Sequence, residues 1–325
     1  MSSPVVVAEI VRSGFVEGHH YGSVVALAPD GSVDWSVGQV DAPILPRSSN
    51  KPIQALAMVR LGLDLDPELL ALACASHSGE QFHVDGVRKI LAGAGLDESD
   101  LQTPPDYPLD DDAKEIVIRA NGTRSPILMN CSGKHAAMLA TCVINGWPTK
   151  NYRDVDHPLQ AAIAETFAEM TGEPVQTTAI DGCGAPLLSA SLVGLARAFR
   201  RLALGADGLD KLDHRSTRVA DAIRQHPAYV SGTHRDERAL LAAIPGAIGK
   251  AGAESVYAVA LPDGRAFALK TDDGAPRVRP VLMAEALRRS GVLETEGVDA
   301  DAVRDTGRLP LLGGGVPVGE IRASY

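Results

Sequence analysis

Near the start of the chain, apolar positions run or alternate over short spans, at residues 5–11 and 23–37, and Pro29-Asp30-Gly31 interrupts the second span. Short spans bounded by Pro, Asp and Gly read as strands with a turn between two of them. After Pro52 the spacing changes. Ile53, Leu56, Ala57 and Val59 recur at the interval of a helix face, and the same period returns over residues 68–74, 84–91, 134–143, 159–170, 189–204 and 217–225. Strand character resumes at residues 254–261 and 266–270, joined by Pro262-Asp263-Gly264, a strong hairpin signal. Residues 280–289 read as a final amphipathic helix. If the strands at the two ends pair into one sheet, the helical middle becomes an inserted layer, and a cleft forms between the two parts. The sheet part would cover about residues 1–62 and 245–325, the helical part about 63–244.

Composition narrows the partners. With 325 residues and 45% hydrophobic side chains, the chain can bury one large core or two moderate ones. Its formal charge of -10 is spread along the sequence, with no cluster of Lys and Arg interleaved with aromatics. That balance argues against a phosphate-backbone partner. No apolar run approaches the roughly 20 residues that span a bilayer, so the expected partners include neither nucleic acid nor membrane. The first twenty residues have no basic start and no small-residue cleavage pattern, and Glu9 breaks their apolar run. They read as the first strand, and the protein is expected to be cytoplasmic.

The chemistry starts at Arg47-Ser48-Ser49-Asn50-Lys51-Pro52, where sheet gives way to helix. Residues three apart are neighbours on a helix surface, so Lys51 is expected to reach the Ser48 hydroxyl. A serine is a poor nucleophile until a base takes its proton, and burial or positive neighbours such as Arg47 can make a lysine that base. Pro52 disfavours helical geometry at Lys51 and points to an irregular turn there. The bland alternative is a helix cap with a solvated lysine. Further on, Ser76-His77-Ser78-Gly79-Glu80 is a hydroxyl-rich loop that can place Ser78 or His77 in a cleft, or merely close a helix at Gly79. Lys250-Ala251-Gly252 opens a late strand. An SxxK, a central serine loop and a KxG in this order match the order of parts in β-lactamases and penicillin-binding proteins.

Two cysteines lie in glycine-rich settings, Asn130-Cys131-Ser132-Gly133-Lys134-His135 and Asp181-Gly182-Cys183-Gly184. Glycines let backbone approach a ligand and leave sulfur accessible. Cys74 and Cys142, among Ala, Leu and Val, read as buried thiols. Cys131 and Cys183 suit a zinc site completed by Lys134, His135 or water. A Cys131–Cys183 disulfide and a Cys131 nucleophile assisted by His135 are the rivals.

RSSNKPIQ, SHSGE, MNCSGKHAAML, DGCGAP and HPAYVSG, with KAGAE before the last hairpin, together resemble the rhizobial-type L-asparaginase family, also called L-asparaginase II. The resemblance implies an α/β (α+β) fold like the serine β-lactamases, with a central antiparallel sheet from both chain ends and an inserted helical lobe, in one catalytic unit over residues 1–325. It implies a homodimer that hydrolyses L-asparagine to L-aspartate and ammonia. Ser48 would be the nucleophile with Lys51 as its base, and Ser78 with Lys250 a second pair. Cys131, Lys134 and Cys183 would hold zinc in a positioning role, with Asp181 and His135 nearby and Arg47 lining the pocket. Asp181 and Arg47 are the candidates for the substrate's α-ammonium and α-carboxylate. Two positions depart from the pattern: Ala251 replaces the hydroxyl residue of a KTG, and Gly18 stands where a serine is expected. The rival functions are a hydrolase for glutamine, a D-amino-acid peptide or a β-lactam, and a non-catalytic zinc-dependent amino-acid sensor.

Overall fold

In the computed structural model, which describes residues 4–325, the chain opens with three strands: β1 (Val6–Arg12), β2 (Phe15–Leu27) and β3 (Val33–Val37). A helical stretch follows with α1 (Lys51–Arg60), α2 (Pro67–Ala73), α3 (Gln81–Gly93), α4 (Asp111–Arg119), α5 (Ser132–Ile144) and α6 (Pro158–Thr171). The small hairpin β4 (Thr178–Ile180) and β5 (Pro186–Leu188) separates these from α7 (Leu192–Ala203), α8 (His214–Gln225), α9 (Pro227–Val230) and α10 (Asp236–Ala243). The chain then returns to sheet with β6 (Ile248–Gly252), β7 (Val256–Ala260) and β8 (Ala266–Thr271). It ends with α11 (Arg279–Arg289), α12 (Ala300–Thr306), β9 (Leu309–Gly313) and β10 (Val316–Ala323).

The strands from the two ends form one eight-stranded antiparallel sheet in the order β6-β7-β8-β2-β1-β10-β9, with β3 also paired to β2. Both expected features, a mixed α/β architecture and a sheet built from both chain ends, are present. Every residue of β7 is buried, and α7 and α11 both pack on β7 and β8, so this part of the sheet is covered on both faces. β6 pairs only with β7, which leaves it an edge strand.

Helix α1 occupies the middle of the core. Of its ten residues only Arg60 reaches solvent, and partly, as befits a helix that is apolar on nearly every side. Fully burying side chains such as Ile53, Leu56 and Met58 contributes about 1.5–3 kcal/mol each. Pro52, in the first turn, costs no internal hydrogen bond. The core runs unbroken from the sheet strands through α1, α2, α5 and α7.

Two expectations about elements need correction. The helix at Arg279–Arg289 is not the last element, because α12 and the β9–β10 hairpin follow it. β2 begins at Phe15 rather than near residue 23, and carries the Glu17-Gly18-His19-His20 segment as strand paired with β1. No helix among the described residues is long and apolar enough to cross a membrane.

Candidate active site

A single-turn 3-10 helix, Arg47–Asn50, runs directly into α1, so Ser48 lies just ahead of the helix and Lys51 is its first residue. The irregular turn expected from Pro52 is there. Arg47 is held left-handed at φ 51, a conformation that costs a non-glycine residue about 1–2 kcal/mol. The turn is pinned to the end of β6: Ser49 Oγ donates to the Lys250 carbonyl at 2.9 Å. A Cβ on Gly252 would stand 2.6 Å from the Pro46 carbonyl, so this close approach requires glycine.

The loop after α2 is fixed from two sides. Ser76 N–H donates to the Val230 carbonyl (3.2 Å) and His77 N–H to that of Asn130 (3.0 Å). The His77 ring accepts from Gly79 N–H at Nδ1 (3.1 Å), so the network assigns its proton to Nε2, which donates to Ser132 Oγ at 2.8 Å. Gly232, at φ 150, would bring a Cβ to 1.9 Å from Ser78 Oγ. The backbone of residues 231–232 therefore lies directly against this loop.

These segments border a cavity of about 540 Å3, lined by Ser48 and Ser76 among others. Lys51 is fully buried beneath it and donates to the Ala75 carbonyl (2.6 Å), Ser76 Oγ (2.9 Å) and Cys131 Sγ (3.1 Å). No hydrogen bond between Lys51 and Ser48 exists among the described residues, which corrects the expected direct pair. The helix starts only at Lys51, and the lysine reaches inward under the loop. Ser78 is likewise not where it was expected. Its hydroxyl donates to the Ser231 carbonyl at 2.9 Å and makes no bond to Lys250. Ser76, two residues earlier, is the serine that meets a lysine.

Lys250 is fully buried and donates to Glu237 Oε1 (2.7 Å) and the Ala251 carbonyl (2.8 Å). Burial lowers its pKa to about 8, against the opposing pull of Glu237 and aided by the like charge of Lys51. For Glu237, burial would raise the pKa, but Lys250, Arg279 and Arg235 outweigh it and bring it down to about 2. Glu237 gave no signal in the sequence. It falls in a polar stretch, and only the fold shows it to be 1% exposed.

Beside Lys51, α5 and the β4–β5 turn bring Cys131 and Cys183 together with Lys134 and His135. Lys134 Nζ donates to Cys183 Sγ at 3.0 Å, and Asp181 Oδ2 is 3.6 Å from the same sulfur. A hydrogen bond from Cys131 and the charge of Lys134 push the Cys183 thiol strongly toward thiolate, while the same contact and burial push Cys131 up. His135 Nδ1 bonds the Tyr152 hydroxyl (2.6 Å); its buried Nε2 has no partner of good geometry and faces the Cys183 sulfur. No group of three or more His, Cys, Asp or Glu is gathered as metal ligands among the described residues. With the lysine included, two sulfurs, an amine and an orphaned imidazole nitrogen make a donor set that fits a thiophilic divalent ion such as zinc. Lys134 would have to shed its proton to bind one. All four cysteines are free thiols.

Arg47 and Asp181, expected as two separate charges, contact each other: Arg47 Nε donates to Asp181 Oδ1 at 2.8 Å, and Nη1 is 3.5 Å from Glu254 Oε1. Glu254 and Ser255 are also left-handed, at φ 57 and 54. Strain of this kind persists where the surroundings over-determine the backbone.

Behind the serine loop His77 stacks on His83 at 5.2 Å. Burial lowers both, His83 to about 4 and His77 well below its ordinary 6.5. The unfolded chain takes up these protons first, so their contribution to stability is present above pH 6.5 and is lost as pH falls, for His83 toward about 4. Each imidazole adds a slope of about 1.4 kcal/mol per pH unit in that window. Thermal melting between pH 7 and 4.5 is expected to show a falling midpoint that a His83→Gln variant makes shallower; an equal slope in both proteins would remove His83 from the account.

The cavity thus brings together a buried lysine bonded to one serine hydroxyl and a second serine on the same lining. Among known proteins, the model of the L-asparaginase II family matches residues 8–323, and the chain belongs to that family. It is therefore an amidohydrolase. No curated protein matches the chain. Among solved structures it is similar to a β-lactamase from Mycobacterium bovis (16% identity, 82% of this chain and 94% of that one, TM-score 0.44). It is also similar to a Bacillus glutaminase (11%, 83% and 90%, 0.40) and to EstCE1, a hydrolase with promiscuous acyltransferase activity (14%, 88% and 93%, 0.40). At this level of likeness the fold is better read from its own sheet order.

Proposed function

We propose that the protein hydrolyses the side-chain amide of L-asparagine to L-aspartate and ammonia, with Ser48 as nucleophile. One observation carries the reading: Lys51 Nζ, fully buried, bonds Ser76 Oγ in the cavity that Ser48 lines, in a chain of the L-asparaginase II family. Ser48 Oγ attacks the amide carbon, and its proton passes through Ser76 to Lys51. The C–N bond then breaks, the nitrogen leaves with that proton as ammonia, and water hydrolyses the β-aspartyl ester by the same route. Lys250 and Glu237 act behind this pair: Glu237 Oε1 accepts from both Lys250 Nζ (2.7 Å) and Ala251 N–H (2.8 Å) and holds that lysine and the end of β6 in place. With Ala251 N–H already given to Glu237, the backbone N–H of Ala253, just past β6 in the cavity lining, is the candidate donor to the oxyanion.

A second reading has Ser76 as the nucleophile, favoured by its direct bond to Lys51. Ser48, more open to the cavity and one residue from the strained Arg47, is better placed to meet substrate. Ammonia release from L-asparagine, measured beside L-glutamine, tests the substrate. Turnover of glutamine alone would move the reading to a glutaminase.

If the chain takes zinc, Cys131, Lys134 and Cys183 would hold it with His135 close by. When bound, the ion supplies a fixed positive charge that orders the two loops and orients substrate. Zinc at about a hundred times its Kd is expected to stabilise the fold by about 2.7 kcal/mol, and Cys183→Ser to abolish that gain. Melting curves unaffected by zinc would dismiss the site. The expected homodimer belongs to the same reading and is checked by solution mass.

A further inference from the structure

An enzyme for a free amino acid must hold a cation and an anion on either side of the group it cleaves. Arg47 does not offer a spare positive charge, because it lies between Asp181 and Glu254 at 2.8 and 3.5 Å. One arginine is thus committed to two carboxylates on that wall, and Lys134 also lies close enough to feel the Asp181 charge.

Positive charge gathers instead where α10, α11 and the end of β6 border the cavity. Here Arg235, Lys250 and Arg279 face Asp236 and Glu237, three cations against two carboxylates. Lys250 and Glu237 neutralise each other at 2.7 Å. Arg279 lines the cavity and is 6% exposed. Its bonds to Asp236, 3.0 and 2.9 Å, both leave from Nη2. Nε is buried without an acceptor, and among the described residues the hydrogen bonds of this guanidinium leave from Nη2 and none from Nη1. The face of Tyr257, 5.5 Å from the guanidinium carbon, holds the group in place. Arg235 also lines the cavity, comes no closer than 3.7 Å to Glu237, and has a buried Nε without an acceptor.

Unsatisfied buried donors are uncommon and call for a partner. Two guanidinium groups that line the cavity, one of them nine-tenths buried and holding Asp236 through Nη2 alone, match the geometry of a carboxylate. We propose that Arg235 and Arg279 form the subsite for the substrate's α-carboxylate, and that the Asp181–Glu254 wall takes its α-ammonium. The side-chain amide then lies between the two walls, beside Ser48. This rests on the amino-acid amidohydrolase reading and adds a requirement to it: the substrate must carry a free α-carboxylate, so peptides amidated or extended at that end are refused. Arg47 becomes a positioning residue that holds Asp181 and Glu254 in place.

The test compares three amides as substrates for wild type, Arg235→Gln and Arg279→Lys: L-asparagine, succinamic acid, which lacks the α-ammonium, and 3-aminopropanamide, which lacks the α-carboxylate. Where turnover is too slow, the competitive Ki replaces kcat/KM. Arg235→Gln is expected to lower kcat/KM for asparagine and succinamic acid by about 10- to 100-fold, as for a lost hydrogen bond to a charged group. It should leave 3-aminopropanamide within about twofold. Arg279→Lys keeps the charge beside Asp236 and should show the same selective loss, at a melting midpoint near that of wild type. An equal fall for all three amides, or none, would overturn the carboxylate subsite while leaving the asparaginase reading intact. Absence of asparagine turnover by wild type would overturn both.

Discussion

Replacing Ser48 with alanine is expected to lower ammonia release from L-asparagine by about 10⁴-fold or more while leaving the protein folded. Loss of a serine nucleophile removes the covalent route, and what survives is the smaller acceleration from binding and oxyanion stabilisation. The fold should tolerate the change. Ser48 is only partly buried, and it is Ser49, not Ser48, that pins the turn to the Lys250 carbonyl. The measurement is kcat at saturating asparagine, with a melting curve on the same sample. The Ser76→Ala variant separates the two readings of the nucleophile. If Ser76 only relays a proton, its loss costs about 10²- to 10⁴-fold, the usual range for general acid–base help; if it is the nucleophile, Ser76→Ala is the dead enzyme and Ser48→Ala the impaired one.

Lys51→Met has the second large expected effect, about 10³-fold or more in kcat. The lysine ties together three parts of the site: the Ala75 carbonyl, the Ser76 hydroxyl and the Cys131 sulfur, at 2.6, 2.9 and 3.1 Å. Methionine fills similar space without the donors. Both the proton route and the alignment of the serine loop are lost, and a buried carbonyl goes unsatisfied at about 1–3 kcal/mol. Stability is therefore expected to fall along with activity, in contrast to Ser48→Ala. Added amines such as methylamine should not restore the rate, because Lys51 is sealed from solvent. Full activity in Lys51→Met would remove the lysine from the mechanism.

The helical middle was readable from apolar positions recurring at helical spacing, and the β7–β8 hairpin from two short apolar runs around the turn Pro262-Asp263-Gly264. The C-terminal hairpin was hidden. β9 and β10 carry prolines and are joined through Gly313-Gly314-Gly315, and several of their side chains are exposed, so neither shows a clean alternation. The first half of β2 was lost in a similar way, with Glu17, Gly18 and the two histidines masking a strand that pairs with β1. At the site, the loops were legible from glycine beside serine or cysteine, but the direction of each side chain was not. Ser76 and Ser78 are two residues apart in a segment without regular structure, and only the tertiary anchors at Val230 and Ser231 decide which one meets Lys51. Pairing of distant charges was equally out of reach. Arg279 and Asp236, or Lys250 and Glu237, come from different elements, and no local spacing links them.

Rapid quenching of the enzyme with L-asparagine, followed by peptide mapping by mass spectrometry, examines the covalent step itself. A β-aspartyl ester on the peptide that carries Ser48, absent from Ser48→Ala, is the predicted result. The same adduct on Ser76, or asparagine turnover with no adduct on either serine under conditions that accumulate acyl-enzyme, would contradict Ser48 as the nucleophile.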